Sequence, residues 1–300
     1  MRWQRWAARG LVFLLAMAPG PDVMAGDWIT KGGSPLRSST VVDSHGLIEL
    51  AAYWETQPLG ESAAQPAVVD GVIYHLAGDY LWRLDLREVS PPEAVATEIR
   101  DQVSNLPIRF NVTPDGQFIA PQSSPSYSPE TGMLYFGTGY GWLWAYHTRE
   151  GWARPAGLDL GCPIVGSPLV IHDRGRDIVV VSDRPNYPGE EDQPEGRPLC
   201  PRSHGKVWVV QGLDQLSGPI HRQVYESATT KQDQGGFGGF ITPSAVLAPP
   251  YGDNPSFVIG TDGFDGGRAV RLALDRKHDY HPYRVWTVDG SAGFAGHFTS

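Results

Sequence analysis

Apolar residues in this chain come in short runs rich in Val, Ile, Leu and aromatic side chains, broken by Gly, Pro, Asp and Asn. That pattern predicts β-strands joined by tight turns rather than long helices. Four segments follow one order: a small or polar residue and Pro, a β run, a turn, a second β run, a turn or longer excursion, and a third β run. Gln65-Pro66 opens the first, with Val68 and Val69 before Asp70-Gly71, Val72, Ile73 and Tyr74 after it, and Leu81, Trp82 and Leu84 beyond. Ser124-Pro125 opens the second, followed by Met133, Leu134, Tyr135 and Phe136 and then Leu143, Trp144 and Tyr146. Ser167-Pro168 opens the third, followed by Ile178, Val179, Val180 and Val181 and then Val207, Trp208 and Val209. Thr242-Pro243 opens the fourth, followed by Phe257, Val258 and Ile259 and then Val270, Leu272 and Leu274. A weaker fourth run, at 220–225 in the third unit and 283–288 in the fourth, suits an outer strand with one side in water.

Local chemistry supports this reading. Asp70-Gly71 between two β runs predicts a hairpin turn with φ > 0 at both residues. A proline at the first position of a strand removes no ladder hydrogen bond. Repeated short strands at this period predict an all-β fold, a β-propeller of four-stranded antiparallel blades, with full blades starting near 66, 125, 168 and 243. An ordinary β-sandwich is the alternative. Trp82, Trp144 and Trp208 recur at one position of the repeat and are read as packing between sheets.

Composition agrees with many turns: 36 Gly and 26 Pro among 300 residues, well above the usual ~12%. A formal net charge of −9 excludes the basic footprint of a nucleic-acid-binding surface. Residues 1–25 read as a signal peptide, with Arg2, Arg5 and Arg9 ahead of a short apolar run and Val23-Met24-Ala25 at the cleavage site. That run is too short to span a bilayer, so the mature chain, 26–300, is expected to be exported to the periplasm or outside the cell and not to be an integral membrane protein. Cys162 and Cys200 are the whole cysteine inventory. In an oxidising compartment the expectation is one disulfide between them, since no CxxC or zinc spacing is present.

The order "small residue-Pro, two β runs around Asp-Gly, Tyr, turn, Leu-x-Arg-Leu-Asp" resembles the repeat of quinoprotein-type (PQQ-like) β-propellers. Residues 65–85 and 124–151 carry the likeness best, and Trp28 with Gly32-Gly33-Ser34-Pro35 is similar to the opening of many such propellers. The resemblance covers roughly residues 27–300. It implies a propeller and, as one functional alternative, a periplasmic dehydrogenase using pyrroloquinoline quinone with calcium. Departures are visible. Ala145, Gly151 and Trp152 echo the blade-locking motif, but His147 stands where that motif has Asp, and there is no vicinal Cys-Cys pair.

Candidate chemistry is sparse. Gly205-Lys206 lacks the upstream glycine of a phosphate loop. Gly137-Thr138-Gly139-Tyr140-Gly141 lies between two β runs and is expected to be a hairpin turn, not a dinucleotide loop. Asp262 and Asp265, in a Gly-rich turn, are weak metal candidates; a plain Asp/Gly turn is the preferred reading. The loop face holds Phe237 and Phe240, the related Phe294 and His297, and an insertion at 184–204. Glycine beside phenylalanine lets backbone approach a ligand and offers apolar contact. These four residues are the candidate ligand face, for a protein or small-molecule partner; plain packing at the blade junctions is the alternative reading. The functional expectation is an exported, non-catalytic binding or assembly scaffold with no assigned cofactor and no catalytic residue. Finally, Gly236-Phe237-Gly238-Gly239-Phe240-Ile241-Thr242-Pro243 aligns with Gly293-Phe294-Ala295-Gly296-His297-Phe298-Thr299-Ser300, and 48–55 reads as an outer strand. An incomplete propeller is therefore expected: about four full blades plus an N-terminal outer strand, cut at the start of a further blade.

Overall fold

A computed structural model describes residues 58–85, 97–98, 109–110, 120–153, 157–183, 205–226, 244–261 and 268–289. These form strands and turns with no helix among them, so no described helix is long and apolar enough to cross a membrane. The first sheet is β1 (Ala67–Val69), β2 (Val72–Ala77), β3 (Tyr80–Asp85) and β4 (Thr97–Glu98), each antiparallel to the next. The second is β5 (Ser126–Ser128), β6 (Met133–Gly137), β7 (Trp142–His147) and β8 (Trp152–Ala153), with β9 (Leu158–Asp159) also on β7. Because β8 pairs with the end of β7 and β9 with its start, together they make one interrupted outer strand.

Strands β10 (Leu169–Asp173), β11 (Arg176–Ser182), β12 (Lys206–Gln211) and β13 (His221–Glu226) make the third sheet. The fourth is β14 (Val246–Tyr251), β15 (Asn254–Thr261), β16 (Arg268–Asp275) and β17 (His281–Asp289). Three of the expected prolines, Pro66, Pro125 and Pro168, stand immediately before β1, β5 and β10. Strands β1, β5, β10 and β14 neighbour one another in chain order, and outer strands β13 and β17 also meet. The sheets therefore succeed one another as the blades of a β-propeller.

The two-residue period of each middle strand builds the cores between blades. Leu134 and Phe136 of β6 pack with Tyr74, Leu76 and Leu81 of the first sheet. Their alternates, Met133 and Tyr135, pack with Val179, Val181 and Val210 of the third. Ile178 and Val180 of β11 then face Phe257, Ile259, Leu272 and Leu274 of the fourth. Every inner sheet is thus apolar on both sides, which explains runs such as Ile178-Val179-Val180-Val181 that do not alternate with polar residues.

The third residue of the third strand faces the preceding blade. Trp144 and Trp208 occupy it and pack half-buried against the clusters there. Trp82 is their equivalent; its indole N–H donates to the Ala77 carbonyl at 2.9 Å and its ring meets Tyr80 edge-on. On the same side of the first sheet Ile73 and Leu84 are buried, 2% and 3% exposed.

The Asp70-Gly71 turn has φ of 49° and 75°, the mirror-type hairpin expected from the sequence. Arg174-Gly175 between β10 and β11 repeats it with 51° and 75°. Residues 137–141 form the β6–β7 hairpin turn, closed by Thr138 N–H to Trp142 O at 2.9 Å.

Candidate functional site

Loops that lead into the innermost strands and turns that join second to third strands share one face of a propeller. Several expected site residues on that face, Phe237, Phe240, Phe294 and His297, lie outside the described residues, as do Asp262, Asp265, Cys200 and the 184–204 insertion. The N-terminal leader and the 48–55 segment lie outside them as well. What the structure does describe on this face is the rim formed by the starts of the innermost strands and the second-to-third-strand turns.

A relay of hydroxyls runs along the rim. The Gln65 N–H donates to Ser124 Oγ at 2.8 Å, the Ser124 N–H to Ser167 Oγ at 3.1 Å, and the Ser167 N–H to Ser244 Oγ at 2.7 Å. Each bond carries the chain of one blade onto the side chain of the next. Ser123 adds a donor bond to Gly166 O at 3.1 Å and Ser126 one to Pro168 O at 2.7 Å. All five serines are buried, so these bonds satisfy polar groups that would otherwise destabilise the junctions. In the first three units the relay residue precedes the proline. In the fourth it follows it, because Ser244 rather than Thr242 is the equivalent of Ser167. The proline alignment is therefore displaced by two positions in the last unit.

The second-to-third-strand turns are fixed with similar economy of exposed chemistry. Asp183, buried, accepts the Trp208 indole N–H at 2.6 Å and the Lys206 N–H at 2.8 Å. Gly141, at φ 83°, has the Cys162 backbone so close that an added Cβ would lie 2.6 Å from its carbonyl oxygen. Cys162 is buried here, and among the described residues no cysteine is a free thiol.

Among the described residues, the opposite face carries a dense polar cluster, which sequence reading missed. The Asp177 side chain, 0% exposed, accepts from Ser128 Oγ at 2.9 Å, Thr131 Oγ1 at 2.5 Å, Tyr135 Oη at 2.8 Å and His172 Nδ1 at 2.9 Å. Three donors come from the second blade and the fourth from its own. Burial, and next the Asp177 charge, push the Tyr135 phenol well above its ordinary range. Nearby, Asp173 takes both Arg276 nitrogens, at 2.8 and 2.7 Å, and the Tyr280 hydroxyl at 2.7 Å. The Arg276 bonds hold the Asp173 carboxyl below the usual range, while burial and the Asp173 bond raise Tyr280 to about 12. Both clusters join blades. In both, hydroxyls donate to a carboxylate between blades, and the partners of Asp177 are scattered over 128–172 with no local motif to reveal them.

The donor set for a quinone–calcium centre is not assembled by the described residues. No three of their His, Cys, Asp or Glu side chains converge on a point that suits a cation, and Asp183, the buried carboxylate of the loop face, is already held by an indole and a backbone N–H.

No family model and no curated protein matches the chain. Among solved structures it is similar to the quinohemoprotein alcohol dehydrogenase from Comamonas testosteroni, at 15% identity and a TM-score of 0.42, covering 88% of this chain and 49% of that one. The chain thus spans about half the length of that structure. A weaker similarity is to a chain of the mitotic checkpoint complex, at 11% identity and a TM-score of 0.30, covering 93% of this chain and 76% of the other.

Proposed function

We propose that this chain is an exported β-propeller, periplasmic or extracellular, that works as a non-catalytic binding or assembly scaffold. The observation that carries this reading is how the described rim of the loop face uses its polar groups. Ser123, Ser124, Ser167, Ser244 and Asp183 bond to backbone, to an indole or to the adjoining blade. Such a rim supplies a rigid platform, and recognition falls to the loops above it. Phe237, Phe240, Phe294 and His297 are the residues proposed to meet the ligand, with a Cys162–Cys200 disulfide tying the 184–204 excursion to the root of its own blade.

The test is reconstitution. Purified chain is held with pyrroloquinoline quinone and Ca²⁺, and quinone absorbance and dye reduction by primary alcohols are followed. The scaffold reading predicts neither bound quinone after gel filtration nor dye reduction. Stoichiometric quinone with alcohol-dependent turnover would replace it by the dehydrogenase reading.

A further inference from the structure

The first sheet is apolar on both sides. Val72, Tyr74 and Leu76 of β2, with Leu81 of β3, point toward the second blade and join the core there. Ile73 and His75 alternate with them and point away, opposite Leu84 and Trp82 of β3. Ile73 and Leu84 belong to none of the described apolar clusters between blades. Yet in this single chain, with no neighbouring molecule, they are only 2% and 3% exposed. Two large aliphatic side chains on the outward side of a sheet are shielded this fully only when something packs over them. With one chain present, that cover belongs to the chain itself. His75 shows its character. Its Nδ1 is buried without a hydrogen-bond partner among the described residues, and burial pushes its pKa down to about 4. A carboxylate packed there would bond the ring and hold the pKa up; an apolar surface does neither.

Chain path and residue pattern select the segment. The third blade is entered from the side of the second: β9, part of the outer strand there, ends ten residues before β10 begins. The connecting Leu160 and Ile164 bond back to the second blade's own hairpin turn, their N–H groups donating to Gly141 O at 2.8 Å and to Thr138 O at 3.0 Å. Ten residues before the start of β1 stands Gln57. By the same repeat, the chain enters the first blade from its outward side, along the residues just ahead of 57. There Ile48, Leu50, Ala52 and Trp54 alternate with Glu49, Tyr53 and Glu55, giving the apolar and polar faces of a strand. Segments 86–96, 227–243 and 290–300 show no such alternation.

We propose that residues 48–55 form a strand whose apolar face, Ile48, Leu50, Ala52 and Trp54, covers Ile73, His75 and Leu84 on the outward side of the first blade, leaving Glu49 and Glu55 in water. The cover removes the exposed apolar patch that the outward side of the sheet would otherwise present. The first blade's outward side is then closed to other polypeptides, and partner recognition is left to other surfaces. The inference holds whether or not the scaffold reading does.

The experiment has two arms. Benzoylphenylalanine replaces the half-buried Trp82, beside His75 on the same side of the sheet, in the full chain. The purified, dilute protein is illuminated and the cross-linked residue mapped by mass spectrometry. The expected product is a cross-link within one chain to a residue of 48–55, with a yield unchanged on dilution. A cross-link to any other segment, a cross-link between two copies, or no cross-link overturns the inference. In the second arm the His75 ring is titrated by NMR in wild type, Ile48→Ser/Leu50→Ser and Glu49→Ser. Opening the apolar cover to water should raise the midpoint from about 4 toward the ordinary ~6.5 in the double variant, and leave it unchanged in Glu49→Ser. A midpoint that stays put in the double variant, or moves equally in Glu49→Ser, overturns the inference. If the double variant does not fold, the cross-link decides.

Discussion

At the scale of single residues, His75 shows how a buried polar group marks the energetics. It lies on β2 opposite Trp82, with its Nδ1 buried and without a hydrogen-bond partner among the described residues. Burial pushes its pKa down to about 4, whereas an unfolded histidine titrates near ~6.5. Between those two pH values the unfolded chain binds a proton that the folded chain does not. Stability therefore falls as pH drops from about 6.5 to about 4 and levels off below, a loss of about 3 kcal/mol from this group. Replacing it with an apolar ring, His75→Phe, should flatten the melting-temperature profile across that window, and parallel profiles for the two proteins would contradict the assignment. Nothing in the sequence separated His75 from the chain's other histidines, because only the third dimension buries it. The relay serines were half legible. Ser124 and Ser167 drew attention through the prolines that follow them, but Ser244 sits after its proline, so the common role is hydrogen bonding across blades and not the Ser-Pro pair.

Turns and strands were the most readable scale, since local geometry decides them. Asp70-Gly71 and Gly137 to Gly141 both form the hairpins their residue types predict. Two glycines separate backbone conformation from crowding. Gly175 has φ 75° with open space around a hypothetical Cβ, while Gly141 has φ 83° and the Cys162 backbone against it. Gly175→Ala should cost only the left-handed backbone penalty, about 1 kcal/mol. Gly141→Ala should cost roughly 2–4 kcal/mol, because a backbone contact must also move. Equal shifts in denaturant midpoint would show that Cys162 can retreat freely. The proposed disulfide belongs to this scale too. Intact protein under denaturing, non-reducing conditions should resist alkylation, and Cys200→Ser should lower stability by roughly 3–4 kcal/mol in the loop-entropy account. Two alkylated cysteines in the unreduced protein would remove the bridge.

For the whole molecule, chain order and alternation carry the architecture. Each blade packs against its sequence neighbours because successive residues of a middle strand point to opposite sides, as Leu134 and Tyr135 do. That much is written in the hydrophobic runs. The polar ties are not. Asp177 collects its donors from 128, 131, 135 and 172, and Asp173 reaches Arg276 and Tyr280 across a junction, contacts that exist only after the blades have formed. The loop-face residues were chosen from glycine–phenylalanine composition, and they lie outside the described residues, so their role is the central claim still to be measured. The most direct measurement sets binding against stability in one variant. Phe237→Ala/Phe240→Ala is compared with wild type for capture of partners from the exported fraction and for melting temperature. A recognition surface predicts capture reduced at least ten-fold with the melting temperature within a few degrees. Capture and melting temperature falling together would show that these rings only pack the junctions between blades.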